Sequence, residues 1–270
     1  MEAVRKGDLA VAEQFVSARL KAAALPGFPG TLPADLDAAY LIQDAAIEMF
    51  PDEVAGWKIG GIPPALRESL GAKSLSGPVF RKDVRYSAIG GSVEYGMYAG
   101  GFGAVEAEFM FEIGEDAPVG KTSYTTAEAI GLVKRMICGV ETAGSPLATI
   151  NVVGPLAVVS DFGNNNGIIV GPEVPHWQDL VLSELACETF INGKSVGTGT
   201  AANVAGGPIE PLRFVAEMCA KRGFPLKAGM IITTGAVTGI HDLQPGEVAR
   251  VEFKGLGAIQ CVATAIKPRL

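Results

Sequence analysis

The sequence predicts an α+β fold with a rolled, largely antiparallel sheet preceded by a small helical part. Three observations predict it. From about residue 78 onward the signals are strands and turns, with apolar residues at every second position. The helices in that stretch are too few for regular βαβ alternation. Finally, 35 of 270 residues are glycine in a chain that is 48% hydrophobic and 19% charged, so these glycines serve turns and close backbone crossings inside a folded protein rather than disorder.

The N-terminal elements come first. Residues 8–24 place Leu9, Ala12, Val16 and Leu20 on one stripe and read as an amphipathic helix. Asp35 is the expected N-cap of a second helix, in which Leu36, Ala39, Tyr40, Gln43, Ala46, Ile47 and Phe50 keep helical spacing until Pro51. Residues 54–59 read as a strand, and Pro63-Pro64 open a short helix that Gly71 ends. The expected division is an N-terminal helical cap region, 1–77, and a β-roll domain, 78–270.

In the second part Val105, Ala107, Phe109, Phe111 and Ile113 alternate along a strand. Thr125 and Glu128 form a capping-box pattern, which predicts a helix ending near Ile137. Asn192-Gly193 predicts a hairpin. Residues 208–222 read as a helix stopped by Gly223, and 230–234, 248–253 and 258–264 as strands, the last two joined by a turn at 254–257. Gly100-Gly101-Phe102-Gly103 reads as a flexible loop at the mouth of the site.

Bulk chemistry excludes several classes. The charge is 22 − 29 = −7 with a pI near 5.0, which argues against nucleic acid as a partner. No apolar run approaches the ~18 residues a membrane span needs. The N-terminus lacks a continuous apolar stretch, so no signal peptide is expected. Cys138, Cys187, Cys219 and Cys261 are widely spaced, form no CxxC, and read as reduced core thiols of a cytoplasmic protein. With only His176 and His241, a three-histidine zinc site is impossible. His176 reads as a surface residue and His241 as nearer a site. No GxSxG elbow is present, and Gly197-Thr198-Gly199-Thr200 lacks the P-loop pattern.

The chemistry concentrates in Ala104-Val105-Glu106-Ala107-Glu108-Phe109. On a strand, residues i and i+2 share a face, so Glu106 and Glu108 project together opposite the apolar positions. They are either a solvated strand face or the oxygen ligands of a hard divalent cation. Glu141, in the apolar run Ile137-Cys138-Gly139-Val140-Glu141, is either a strand-end charge or a buried carboxylate that needs a cation. Lys58, within Gly56-Trp57-Lys58-Ile59-Gly60, is either a snorkelling lysine or a cation for an anionic substrate or a proton. Asp161 opens a loop rich in Asn and Gly, where turn formation is its simplest role.

In this order the segments resemble the 2-keto-4-pentenoate hydratase group of the fumarylacetoacetate hydrolase superfamily. The resemblance runs from about Ala39 to Thr264 and rests on Tyr40-Leu41-Ile42-Gln43, Trp57-Lys58-Ile59-Gly60, Leu70-Gly71, Val105-Glu106-Ala107-Glu108, Val140-Glu141, Gly144-Ser145, Asp161, Gly197-Thr198-Gly199, Gly207-Pro208, Ile231-Ile232-Thr233-Thr234-Gly235 and Pro245-Gly246. It implies a mixed, largely antiparallel β-roll core like the superfamily's C-terminal domain, with a small N-terminal helical part. It implies Mg²⁺ or Mn²⁺ on Glu106, Glu108 and Glu141, catalytic roles for Lys58 and Asp161, and a substrate site that includes Lys58, Gly60, Thr234 and Gly235. It also implies a homo-oligomer. The implied reaction is hydration of 2-hydroxy-2,4-dienoates to 4-hydroxy-2-oxo acids in aromatic-compound degradation. Alternatives are a 4-oxalocrotonate-type decarboxylase, a fumarylpyruvate-type C–C hydrolase, or a non-catalytic small-acid binding protein. The chain departs from the group's pattern at Pro146, Phe162, Met230 and Arg81-Lys82-Asp83.

Overall fold

The computed structural model describes residues 6–88 and 90–269. The first five residues of the expected N-terminal region lie outside them. Two helices open the described chain, α1 (Lys6–Lys21) and α2 (Leu36–Met49). The side chain of Asp35 caps α2 as expected, accepting from the Ala38 amide. In α1 the buried stripe is Val11, Ala12, Phe15 and Val16, while Leu9 is exposed. Arg19 lies on that buried stripe, one turn beyond Phe15.

Strands β1 (Val54–Gly61) and β2 (Ser74–Phe80) flank helix α3 (Pro64–Leu70), which Gly71 ends in the left-handed region. Then come β3 (Val84–Tyr86), β4 (Ser92–Met97), β5 (Phe102–Ile113), helix α4 (Thr126–Gly131) and β6 (Val133–Ser145). The capping box at Thr125 and Glu128 forms, but α4 ends at Gly131 rather than near Ile137. The β-favouring run Val133 to Val140 joins the sheet instead. Short helices α5 (Ile150–Val153) and α6 (Pro155–Ser160) lead to β7 (Asn165–Val174). The Asn192-Gly193 hairpin joins β8 (Ala186–Ile191) to β9 (Lys194–Thr200), with positive φ at both turn residues. Helix α7 (Ile209–Lys221), β10 (Ile231–Ile232), β11 (Ile240–Asp242), β12 (Val248–Phe253) and β13 (Gly257–Ala265) complete the chain. The expected strand at 230–234 shortens to β10, because the backbone amides beyond it turn toward a side chain of β5. Gly100-Gly101 is a tight turn rather than a flexible loop, and Phe102 and Gly103 already belong to β5.

The larger sheet has the order β2-β1-β10-β5-β6-β7-β3, with β11 paired to β5. Its first and last members, β2 and β3, are joined by one turn, Arg81–Asp83, so the sheet curls until its edges meet. The smaller sheet, β4-β13-β12-β8-β9, packs on the outer face, where Phe109 of β5 meets Phe253 of β12 at 5.5 Å between ring centroids. Most neighbours are antiparallel, but β1/β10, β13/β4 and β3/β7 are parallel, so the roll is mixed as expected. The expected boundary at 77/78 falls inside β2, and both β1 and β2 are members of the large sheet.

Curling gives the sheet two buried faces. The outer one carries Val105, Ala107, Phe109, Phe111 and Ile113 into the main core. The inner one carries an apolar cluster of Val79, Met110, Ile137, Ile168, Val170 and Ile231, contributed by five strands. Glycines let the backbone close tightly over this interior. A Cβ on Gly77 would stand 2.0 Å from the Phe162 carbonyl oxygen, and Gly163, at φ +64°, faces Gly77 across the same crossing. Gly77→Ala is therefore expected to lower stability by about 1–3 kcal/mol. A urea midpoint equal to that of the parent protein would contradict the close crossing.

Candidate metal centre

Register across β5 and β6 assembles the site. Glu106 stands directly opposite Glu141, Glu108 opposite Gly139, and Met110 opposite Ile137. Side chains directly opposite on one face are neighbours, so the two carboxylates meet across the ladder with Glu108 one pleat away. Gly139 leaves room above Met110, since a Cβ there would stand 2.4 Å from its sulfur. The apolar cluster forms a dry floor beneath. All three glutamates are buried, Glu108 and Glu141 completely. The solvated-face reading of Glu106 and Glu108 is thus replaced by an enclosed one, because the strand lies in a closed roll with no solvent face.

Glu108 and Glu141 are each oriented through one oxygen. Oε2 of Glu108 accepts the backbone amides of Thr234 and Gly235, at 2.7 and 2.8 Å. Oε1 of Glu141 accepts Nδ2 of Asn165 at 3.1 Å and lies 3.3 Å from Nζ of Lys58. The other oxygens, Oε1 of Glu108 and Oε2 of Glu141, are buried without a hydrogen-bond partner. One ligand oxygen from each of Glu106, Glu108 and Glu141 lies within 4.8 Å of the others.

The electrostatics follow from burial and crowding. Burial, then the charge of Glu141, push the Glu106 carboxyl up to about 7, against the pull of Lys58. Burial, then Glu141 and Glu106, hold Glu108 well above the usual carboxylate range, against the Gly235 amide and Lys58. Burial works against the Lys58 ammonium, but Glu141, Glu106 and Glu108 outweigh it and raise its pKa.

The residues fit a divalent cation. Two buried oxygens lack any donor, and all candidate ligands are hard carboxylates, which suit Mg²⁺ or Mn²⁺. Three carboxylates and one ammonium sum formally to −2, the charge a divalent ion cancels.

The remaining expected site residues fall in two groups. Gly60 borders the ammonium, since a Cβ there would lie 3.5 Å from Nζ of Lys58. The amides of Thr234 and Gly235 are spent on Glu108, and the Thr234 hydroxyl donates to the Phe109 carbonyl at 2.5 Å. Asp161 is fully buried, but its oxygens bind Arg19 and Ser145 rather than the cluster or Lys58. His176 is exposed at a left-handed position. His241 pairs opposite Val105, so it stands on the face away from the carboxylates and contacts Thr238. Sequence reasoning missed Asn165 and Arg19. The signal for Arg19 was present, a charge on the apolar stripe of α1, whereas Asn165 sits in a run of three asparagines that reads as a turn.

Comparison with known proteins supports the resemblance. The family model described as fumarylacetoacetate (FAA) hydrolase C-terminal matches residues 135–263, which include Glu141 but not Lys58, Glu106 or Glu108. A 4-oxalocrotonate decarboxylase of Pseudomonas putida is 31% identical over 104 residues, 38% of this chain and 39% of that one. The chain thus matches well under half the length of that relative. The 2-keto-4-pentenoate hydratase 2 of Dechloromonas aromatica (strain RCB) is 26% identical over 264 residues, 93% of this chain and 97% of that one. Among solved structures, the 4-oxalocrotonate decarboxylase from Pseudomonas putida G7, complexed with magnesium and adipate, has a TM-score of 0.79 at 23% identity, covering 97% of this chain and 98% of that one. The fold is that of the fumarylacetoacetate hydrolases.

Protein stripped with a chelator is expected to gain thermal stability when Mg²⁺ or Mn²⁺ is added, by about 2.7 kcal/mol at a hundred-fold excess over Kd. Glu108→Gln should lose most of that gain while remaining folded. Calorimetry showing no metal-dependent shift in the parent protein would contradict the site.

Proposed function

From the premise of a chain with the fumarylacetoacetate hydrolase fold and a family match over residues 135–263, we propose a metal-dependent hydratase of 2-hydroxy-2,4-dienoates, a hydro-lyase yielding 4-hydroxy-2-oxo acids. The observation that carries it is the buried set of Glu106, Glu108 and Glu141 with Lys58 at its side. The relatives aligned over most of their length support it, being named as 2-keto-4-pentenoate hydratases.

In this reading Glu106, Glu108 and Glu141 hold Mg²⁺ or Mn²⁺. The cation supplies Lewis-acid polarisation of a 2-oxo acid and neutralises the charge of its ligands. The chain's own groups do the rest. Lys58 presents Nζ as a donor to the substrate's oxygens and carries a proton there. Gly60 leaves space beside that ammonium for a small acid, and Thr234 and Gly235 border the substrate while holding Glu108. The apolar floor keeps water from reaching the site from below. The dienol loses its hydroxyl proton and gains one at its terminal carbon, giving the conjugated ketone. Water then adds across the remaining double bond, its oxygen to the carbon β to the ketone and its proton to the carbon between. Asp161 acts from behind, through Arg19.

A second reading, decarboxylation of a 4-oxalocrotonate-type 2-oxo acid, draws on the 31% local identity to the decarboxylase. Such a substrate carries a second carboxylate, which calls for a second cation. Among the described residues the ion pairs bring only Lys58 to the cluster, which favours the monoacid. The protein is further read as a cytoplasmic homo-oligomer that acts on a small acid, with neither nucleic acid nor a membrane as partner. Cys138, Cys187, Cys219 and Cys261 are all free and buried, and among the described residues no helix is long and apolar enough to cross a membrane.

Chelation is expected to abolish turnover of 2-hydroxypenta-2,4-dienoate, and added Mg²⁺ or Mn²⁺ to restore it. Lys58→Met should lower kcat by about 10²–10⁴-fold. Full turnover by the stripped protein would refute the hydratase, and release of CO₂ from a 2-oxo-enedioate would shift the assignment to the decarboxylase.

A further inference from the structure

Glu141 is held from behind by a chain of groups that ends on the N-terminal helix. Nδ2 of Asn165 donates to Oε1 of Glu141. Asn165 is fixed in turn, because its Oδ1 accepts the Gly167 amide at 3.0 Å and its carbonyl accepts Nη1 of Arg19 at 2.9 Å. Arg19 is 4% exposed and comes from α1, 146 residues away in the chain. Its Nη2 donates to the Gly144 carbonyl at 3.0 Å, on the same strand as Glu141, and its Nε donates to Asp161 at 2.5 Å. The second oxygen of Asp161 accepts the Ser145 hydroxyl at 2.5 Å. The guanidinium lies 5.0 Å from the ring centroid of Phe162 and 5.6 Å from that of Tyr98.

A buried Arg–Asp pair is weak evidence for stability, because burying both charges costs about as much as their attraction returns. What distinguishes this pair is where its other donors go. A guanidinium presents a rigid fork, and here the fork grips one backbone carbonyl on each of two paired strands, Gly144 of β6, which carries Glu141, and Asn165 of β7. Those two segments set where Glu141 and its amide partner stand. The sequence departs from the group's pattern at Phe162, the residue whose ring faces this guanidinium.

We propose that Arg19 and Asn165 are positioning residues for Glu141. Asn165, held in place by Arg19, occupies Oε1 of Glu141 with its Nδ2 donor and so leaves Oε2 for the cation. The N-terminal helix, which lies outside the family match, is then part of the metal site. This inference rests on the metal reading of the three glutamates.

The test compares Mn²⁺ affinity of chelator-stripped parent protein with Asn165→Ala, Arg19→Lys and the double variant, by electron paramagnetic resonance of free Mn²⁺. Metal-free melting temperature is recorded beside each. Arg19→Lys keeps a cation opposite Asp161 but loses the fork. Each single variant is expected to bind Mn²⁺ about ten-fold or more weakly. The double variant should be little worse than Asn165→Ala, since the two act in series. A purely structural role would lower the melting temperature and leave the affinity alone. Affinity within two-fold of the parent in folded Asn165→Ala overturns the relay, as do additive losses in the double variant. A parent protein that binds no Mn²⁺ overturns both the relay and the metal reading.

Discussion

The structure turns on the burial of three carboxylates together above an apolar floor. At separations within 4.8 Å, each ionised pair repels by about 3–4 kcal/mol at an effective dielectric near 20. Three such pairs stand against one close attraction, that of Lys58 for Glu141. Burial and crowding raise the pKa of Glu106 and Glu108, and the protein lessens the strain by supplying donors from outside the cluster, the Thr234 and Gly235 amides to Glu108 and the Asn165 amide to Glu141. None of these groups adds a positive charge, and the two free oxygens remain. A divalent cation meets both needs at once.

The rest of the fold follows from having to build and close that pocket. Antiparallel register places Glu106 against Glu141. Closure between β2 and β3 turns the face that carries them into an interior. The second sheet covers the other face, so β5 is buried on both sides. The crossing of Gly77 over Phe162 and Gly163 brings the loop before β7 close to β1, and a Cβ on Gly163 would lie 3.1 Å from Cδ of Lys58. Close backbone packing thus guides the lysine stem toward Glu141. Much of the glycine excess is explained by such crossings, where any side chain would push the walls apart.

The main outline was legible in the sequence because its signals are local. The Asp35 cap, the Asn192-Gly193 hairpin and the alternation along β5 each rest on a few neighbouring residues. The spacing of Glu106 and Glu108 and the apolar setting of Glu141 pointed to the same pocket. What could not be read depends on distance along the chain. The capping box at Thr125 predicted a helix start correctly, but the stop was set by sheet pairing of β6 with β5 and β7. Asp161 was expected at the chemistry, yet Arg19, 142 residues earlier, claims it. Thr234 and Gly235 were expected beside the substrate, and the geometry reveals that they also orient Glu108. No local pattern encodes such pairings, because they form only when the roll closes.

The most direct measurement is anomalous diffraction from crystals soaked in Mn²⁺ after chelator treatment. The account predicts one strong anomalous peak among Glu106, Glu108 and Glu141, bound through the oxygens that now lack donors. A map with no peak there, or with Lys58 filling that space beside fully hydrogen-bonded carboxylates, would contradict it.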